Sequence, residues 1–389
     1  MTFRWIIDAR NDLTWYIGSA LVGYLYAGLV LLAVLLLPRP LEDAFGVLRL
    51  GGLEIPLTLH LLVYASWAFL LDAPHLFSTM ARTFFDPEER ALRRKELWLS
   101  WGWFLVGPVA VLLPFGAMVF LVFFRLWAYY HVVRQHWGFF ILYKRKNGDM
   151  EPRTYRIDQW YFNLALYLPL LLFVTGPVYA RTPGMPSLGL ERLAATGVVH
   201  VAAWALLVGS TVGYIAYQIW LRRQGQALNG PKLLFLASVV PLHLLAVSNP
   251  WTAALLVPII TVGHNLQYHR IVWMYGQGKY VRSTTTAPVA RVIFSRFWVY
   301  AAMGLLFTLA LYRGPWIEWL QSAVGMSLDR SFLAGIGMMA GLTDPSALSV
   351  GQQVFATMLL GWAMQHYYLD SKIWRVSRDR GVAEQLRVN

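Results

Sequence analysis

Long apolar stretches recur along the whole chain, and they constrain its fold more than any other feature of the sequence. A stretch of about 20 apolar residues crosses a bilayer as a helix, because each backbone N–H and C=O is then bonded within the segment itself. Turn residues separate these stretches, and Trp and Tyr lie near their ends. The assigned spans are 14–37, 57–80, 97–113, 115–143, 158–180, 194–221, 232–248, 251–274, 292–312 and 350–371.

These ten spans predict an all-α fold, a polytopic bundle of transmembrane helices that forms a single integral membrane domain over residues 1–389. Hydrophobic residues make up 57% of the sequence and charged residues 14%, a balance that excludes a soluble domain. Asp8 and Asp12 interrupt the N-terminal region, which therefore does not read as a secretory signal. The segment 313–349 has an apolar part that is too short to cross, and we expect it to be re-entrant or to lie flat on the outer surface.

The basic residues fall mainly on one side of this predicted topology. Of the 33 Lys and Arg residues, 25 lie in loops and tails of one side and six on the other. This asymmetry is the positive-inside pattern and places both termini in the cytoplasm. It also accounts for the formal charge of +13 without a nucleic-acid partner. We expect an integral protein of a bacterial-type inner membrane.

Six of the nine histidines lie at one depth of the predicted bundle. They come late in spans two, four, eight and ten, which all run from outside to inside, so the helical rise places them in one layer beside the cytoplasmic face. Ionisable groups are costly in a bilayer, and their arrival in one layer from four helices indicates a function. We interpret this layer as a metal site with the ligands His75, His131, His136, His264, His269, His366, Asp72 and Asp370.

The available ligand types narrow the choice of metal. The chain has no cysteine, which excludes disulfides, iron–sulfur clusters and thiolate-bound metals. Imidazole and carboxylate together suit iron, zinc or manganese. Asp72 with His75 and His366 with Asp370 are three and four residues apart, so each pair shares a helix face and can meet one metal.

Two pairs of histidines have a less simple spacing. His131 and His136, like His264 and His269, are five residues apart, which turns an ideal helix by about 140°. Either a π-bulge aligns the two rings of a pair, or each helix lies between two metals, and the second option favours a dinuclear centre. Outer partners of the ligands are expected among Gln135, Tyr268 and Gln365, and Asn265 is either an outer partner or a weak ligand.

The remaining ionisable residues of the spans allow more than one interpretation. Arg125 lies near the middle of span four, and we predict that it binds an anionic group of the substrate, a carboxylate or a phosphate. The alternative is a structural bond to backbone carbonyls at a helix break. His60, His200 and His243 are expected to pack or bond locally, with a second site or haem binding as alternatives.

At these positions the chain resembles the histidine-box membrane oxygenases, which include fatty acid desaturases, hydroxylases and carotenoid-modifying enzymes. His131-x4-His136 matches the form of a first box, and Asn265-x3-His269 is similar to an element of some desaturases. Pro74-His75 and the stretch from His136 to Gly138 resemble bacterial carotene-cleaving membrane dioxygenases. The resemblance covers four short stretches, and the chain has no His-x-x-His-His box. It implies two irons held near the cytoplasmic face by histidines of several helices.

The sequence therefore predicts a membrane-embedded oxygenase of lipid metabolism with non-haem iron, two ions being expected. It would hydroxylate, desaturate or oxidatively cleave a lipidic or isoprenoid substrate. A separate electron donor is expected, because no soluble redox domain is recognisable in the sequence. One alternative is a zinc-dependent intramembrane hydrolase, although the chain has no His-Glu-x-x-His motif. The other is a transporter of protons, metal ions or organic anions.

Overall fold

The computed structural model of the protein describes residues 3–39, 41, 43–50, 53–113, 116–182, 185, 196–283, 287–313, 345–376 and 379–386. These residues are almost entirely helical, which confirms the predicted all-α class, and a single two-stranded hairpin is added to it. The predicted surface or re-entrant segment falls largely on residues 314–344, which lie outside the described residues.

The helices are α1 (Ala9–Asn11), α2 (Ala20–Leu36), α3 (Leu59–Trp67), α4 (Ala73–Thr83), α5 (Pro87–Leu92), α6 (Arg94–Ser100), α7 (Trp103–Leu112), α8 (Gly116–Lys146), α9 (Pro152–Thr175), α10 (Pro177–Arg181), α11 (Val198–Arg223), α12 (Gly230–Val247), α13 (Pro250–Ala254), α14 (Leu256–Gly276), α15 (Pro288–Ile293), α16 (Phe297–Arg313), α17 (Val350–Leu359), α18 (Gly361–Ile373) and α19 (Arg380–Gln385). Within the described ranges, three short π-helical turns cover Asp12–Ile17, Ala68–Asp72 and Gln277–Val281, and a 3-10 turn covers Pro345–Ala347.

Six helical stretches of the described chain are long and apolar enough to cross a membrane, which supports an integral membrane protein. They are Ala9–Leu36, Leu59–Thr83, Gly116–Lys146, Pro152–Thr175, Val198–Arg223 and Gly230–Val247. Each matches one of the ten predicted spans. The other four spans contain helices that are shorter, broken or more polar, so the number ten and the sidedness of the termini stay predictions.

The chain divides into two compact units. The first unit is formed by Met1–Val63 and Val132–Leu266, and the second by Tyr64–His131 and Gln267–Asn389. The divisions fall within α3, α8 and α14, so each of these helices contributes residues to both units. As a result, His131 belongs to the second unit and His136 to the first, although one helix carries both.

The β-hairpin joins α2 to α3. Strand β1 (Ala44–Leu50) pairs antiparallel with β2 (Leu53–Thr58), and the register shifts between Ala44 and Val47. In the sequence, Gly51-Gly52 separates the two strands, a pair typical of a two-residue hairpin turn. The strands are shorter than a membrane span. The sequence did not predict them, because the spans were assigned from long apolar stretches.

Side-chain caps determine where several helices begin. The Asp86 carboxylate accepts hydrogen bonds from the backbone N–H groups of the first turn of α5, and Glu151 does the same for α9. Such bonds satisfy N–H groups that have no partner inside the helix. At α9 the N–H groups of Thr154 and Arg153 lower the pKa of the exposed Glu151 carboxyl below its ordinary value.

A network of four charges, three of them buried, stabilises the first unit. Lys144 at the end of α8 pairs with Asp158 of α9, and its Nζ lies 3.0 Å from Asp149. The Nζ of Lys232 lies 2.7 Å from Asp149 and 3.0 Å from Asp158. The Tyr214 hydroxyl also donates to Asp158 at 2.7 Å. Opposite charges are equal in number here, so each buried ion has a partner.

Close helix packing characterises the second unit. A Cβ added to Gly107 of α7 would lie 2.6 Å from the Thr357 side chain of α17, and one added to Gly361 of α18 would lie 2.7 Å from the Cα of Phe104. Small residues let membrane helices approach at the level of their backbones. An apolar core that includes Leu76, Phe120, Phe124, Leu360 and Met364 fills the space between these helices.

Candidate metal centre

Three histidines on three helices meet inside the second unit. They are His75 on α4, His131 on α8 and His366 on α18, and one ligand nitrogen of each lies within 4.8 Å of those of the other two. The Nε2 atoms of His75 and His366 are 2.8 Å apart. The three side chains are buried, with exposed fractions of 2%, 7% and 2%. Imidazole nitrogens are thus concentrated in an apolar interior, where buried polar groups are stabilised by hydrogen bonds or by a bound metal.

Asp370 completes this group, which we call the three-His–Asp group. Its Oδ2 lies 3.6 Å from the Nε2 of His366 and 4.0 Å from the Nε2 of His131. Ligand atoms of one tetrahedral metal lie about 3.4 Å apart when each bond is about 2.1 Å long. The observed separations bracket that value, and the donor set is neutral imidazole with one carboxylate. The four residues therefore fit a metal ion such as iron or zinc.

Two hydroxyl groups hold the ligands of the three-His–Asp group in place. The Tyr268 hydroxyl donates to Oδ1 of Asp370 at 2.6 Å, and the Thr79 hydroxyl donates to the same oxygen at 3.1 Å. The Thr79 Oγ1 also lies 2.6 Å from the Nδ1 of His366. These contacts occupy the far side of both ligands, so Oδ2 of Asp370 and Nε2 of His366 are left facing the centre. Outer partners of this kind fix ring orientation and increase the basicity of ligands.

The position of His75 follows from a local break in helical regularity. Pro74 has no backbone N–H and cannot bond to the carbonyl four residues earlier, and a π-helical turn covers Ala68–Asp72 just before it. A second break separates α17 from α18 at Leu360. After it, His366 and Asp370 lie one turn apart on the same face, as their i, i+4 spacing predicts.

Of the two alternatives for the paired histidines, the π-bulge is contradicted by the structure. Helices α8 and α14 are α-helical through both pairs. In the second unit His131 stacks on Tyr367, with ring centroids 4.4 Å apart. In the first unit His136 contacts His243 and Phe235, with centroid distances of 5.9 and 5.7 Å. In an unbroken helix, two side chains five residues apart point in directions that differ by about 140°. The two rings of a pair therefore face different neighbours.

The predicted ligands His269 and Asp72 lie outside the three-His–Asp group. The Nδ1 of His269 lies 2.8 Å from the Tyr300 hydroxyl and 3.1 Å from Ser78, and its Nε2 lies 3.3 Å from the Leu71 carbonyl oxygen. Both ring nitrogens are thus engaged by protein groups. Asp72 is partly exposed and ends the π-helical turn before α4.

A second concentration of buried imidazoles lies in the first unit. The ring centroid of His136 is 5.9 Å from that of His243 and 6.2 Å from that of His264, and all three are almost fully buried. His136 and His264 are predicted ligands. His243 was expected to pack locally, and its place beside them could be found only from the fold, because it comes from a different span.

The other residues singled out by the sequence are placed as follows. Gln135 donates to the His264 carbonyl at 3.1 Å, and Gln365 donates to Ser100 at 2.9 Å, so their side chains tie helices together. Arg125 is partly exposed on α8 and interacts electrostatically with the Tyr64 hydroxyl. In the first unit, His60 and Asn265 are buried, and the Nδ1 of His200 lies 3.5 Å from the Thr175 hydroxyl.

Thr79 contacts the three-His–Asp group but is not among the residues predicted from the sequence. It lies four residues after His75, on the same face of α4, so the helical period carried a signal. A threonine in an apolar helix is common, however, and usually bonds to its own helix. Only the fold shows that its hydroxyl meets His366 and Asp370.

Comparison with known proteins found no relative of this chain. No family model matches the chain, and no curated protein and no solved structure matches it. The resemblance to histidine-box oxygenases therefore rests on the short sequence motifs alone.

Proposed function

We propose that this protein is a membrane-embedded, metal-dependent oxygenase that acts on a lipidic or isoprenoid substrate. The observation that carries the proposal is the convergence of three Nε2 atoms, from His75, His131 and His366, with Oδ2 of Asp370 in an apolar helical unit. Iron is the metal we favour, because imidazole and carboxylate ligands suit iron and this set of four would leave it open positions. Iron bound there would supply the one-electron chemistry that activates dioxygen.

The residues of the centre have two proposed roles, metal binding and orientation of the ligands. His75, His131 and His366 would hold the ion through neutral nitrogens, and Asp370 would offset part of its charge. Thr79 and Tyr268 keep two of these ligands aligned. The surrounding helices exclude water and so protect a reactive oxidant from side reactions.

The surroundings of the centre suit a hydrocarbon substrate. Leu76 and Met364 belong to the apolar core beside the ligands, and Tyr367 covers one face of the His131 ring. Such a lining favours an acyl or isoprenoid chain over a polar metabolite. Hydroxylation, desaturation and oxidative cleavage are all compatible with it. Arg125 lies about 9 Å along α8 from His131, and we propose that it binds a carboxylate or phosphate at the end of the substrate.

A second ion is part of the proposal because the histidine-box resemblance implies two irons. The buried imidazoles of His136, His243 and His264 are the residues of the first unit suited to hold it. The positive-inside pattern supports an inner membrane location with the centre on the cytoplasmic side. Electrons would come from a separate donor protein.

Metal analysis combined with oxygen uptake tests the proposal. We expect full-length protein purified in detergent to contain iron, and to consume dioxygen when a reductant and a total membrane lipid extract are supplied. His131→Ala should abolish the uptake, whereas His200→Ala, at a partly exposed histidine of the first unit, should not. Bound zinc, with no oxygen uptake after reconstitution with iron, would reject the oxygenase in favour of the zinc hydrolase.

A further inference from the structure

We propose that Trp374 is the point at which electrons enter the metal centre, and that they pass through Tyr268 and Asp370 to the ligand His366. This inference rests on the proposed oxygenase function, which needs a supply of electrons. It assigns a role to an aromatic side chain that lies outside the set of predicted ligands.

A continuous chain of contacts in the second unit leads from Trp374 to the centre. The indole N–H of Trp374 donates to the Tyr268 hydroxyl at 3.3 Å, and that hydroxyl donates to Asp370 at 2.6 Å. The rings follow the same order, with centroids 6.0 Å apart for Trp374 and Tyr268 and 5.3 Å apart for Tyr268 and His366. Electron tunnelling weakens steeply with distance and across gaps, so an unbroken series of bonds and ring contacts is the favoured route.

Burial changes in one direction along this chain. His366 and Tyr268 are almost fully buried, whereas Trp374 is partly exposed and its neighbour Arg375 is exposed. Trp374 directly follows the last residue of α18, the helix that carries both His366 and Asp370. Trp374 is therefore the member of the series that a donor protein can approach.

Arg82 determines how the indole takes part. Its guanidinium is fully buried, lies 3.7 Å from the Trp374 ring centroid and 4.1 Å from that of Tyr275, and donates to the Ile373 carbonyl at 2.7 Å. The cation–π contact fixes the indole plane. A positive charge on its face also opposes loss of an electron from the ring, so Trp374 acts as a bridge and is not itself oxidised.

The charge around Trp374 indicates the class of donor. Lys372 and Arg375, both among the described residues, flank it in the chain and carry positive charge. An acidic one-electron donor protein is complementary to this surface, and a reduced [2Fe–2S] ferredoxin is the probe of that class used below. In the transfer, one electron leaves the reduced cluster, which becomes oxidised, and reduces the bound iron from ferric to ferrous. No covalent bond forms or breaks.

Reduction kinetics test the route without relying on turnover. Full-length, iron-loaded protein in nanodiscs is mixed anaerobically with a reduced acidic [2Fe–2S] ferredoxin, and oxidation of the cluster is followed by absorbance. Trp374→Leu should slow the transfer several-fold at unchanged iron content, and Trp374→Phe, which keeps a ring over Arg82 but loses the N–H, should slow it less. Trp98→Leu is the control, because Trp98 on α6 is 70% exposed.

The outcomes separate the route from the function. Equal rates for the wild type and both Trp374 variants at equal iron content would overturn the route and leave the oxygenase standing. Wild-type protein without reducible iron would overturn the oxygenase, and the route with it. If Trp374→Leu loses iron or melts early, the Trp374→Phe comparison alone decides.

Discussion

The Nε2 atoms of His75 and His366 lie 2.8 Å apart, although 291 residues separate them along the chain. Both rings are buried. A hydrogen bond between them requires a proton on one of the two Nε2 atoms, and that Nε2 atom would lose the proton if both nitrogens bound a metal. Oδ2 of Asp370 lies 3.6 Å from the same nitrogen of His366. The two imidazoles thus face one point, which is also where the carboxylate is aimed.

The outer hydroxyl groups should control metal affinity. Tyr268→Phe and Thr79→Val each remove a group that orients Asp370 or His366, and we expect metal binding to weaken by about 10- to 100-fold. Competition with a chromogenic chelator measures this. Tyr300→Phe is the matched control, since the Tyr300 hydroxyl contacts Ser78 and His269 and not the three-His–Asp group. A loss of affinity in the control alone would contradict the assignment.

The charge network of the first unit should dominate its stability. Asp158→Asn keeps the shape of the side chain but leaves Lys144 and Lys232 with Asp149 as their remaining carboxylate, and breaking a buried pair costs about 3–5 kcal/mol. Thermal unfolding in detergent should show a large fall in Tm. Asp43→Asn is the control. It removes an ion pair with Arg39, whose side chain is mostly exposed, so the free energy of unfolding should fall by only about 0–1 kcal/mol.

Lys279 should stabilise the protein at neutral pH and cease to do so in strong alkali. Burial opposes its charge, but Tyr275 and the carboxylates of Asp86 and Glu89 outweigh this and raise the pKa of Lys279 above its ordinary value of 10.5. Its contribution is therefore complete below that value and is lost as the pH rises through the higher pKa of the folded state.

Comparison with a variant isolates this contribution. Lys279→Gln removes an ion pair of 2.7 Å with the buried Asp86 and should lower stability by about 1–3 kcal/mol at pH 7. The difference from the wild type should shrink above pH 10.5. Lys95→Gln, at an exposed lysine of α6, serves as the control. A difference that stays constant into strong alkali would show that packing and not charge is responsible.

Two glycine substitutions should have opposite effects. Gly107→Ala places a methyl group 2.6 Å from Thr357 and should separate α7 from α17, lowering Tm. Gly138→Ala meets no atom within 4 Å in the middle of α8 and should raise stability by about 0.5–1 kcal/mol, since alanine loses less backbone entropy. A rise in Tm for Gly107→Ala would contradict the close helix contact.

The sequence predicted the helical class and several residues of the candidate site for identifiable reasons. Length and polarity mark a membrane helix wherever it lies, and the i, i+4 period places His366 and Asp370 on one face without knowledge of the fold. Contacts between helices have no such signature. The sequence therefore could not show that Thr79 meets His366, or that His243 lies beside His136, because these depend on how helices pack.

Elemental analysis of the purified full-length protein tests whether the three-His–Asp group holds a metal. We expect iron in the wild type, and its loss from the three-His–Asp group in His366→Ala and in His75→Ala, with His200→Ala unchanged. Dialysis against a strong chelator should remove the metal from the wild type, and added ferrous iron should restore it. A wild-type protein without transition metal, or a metal content that is the same in all three variants, would contradict it.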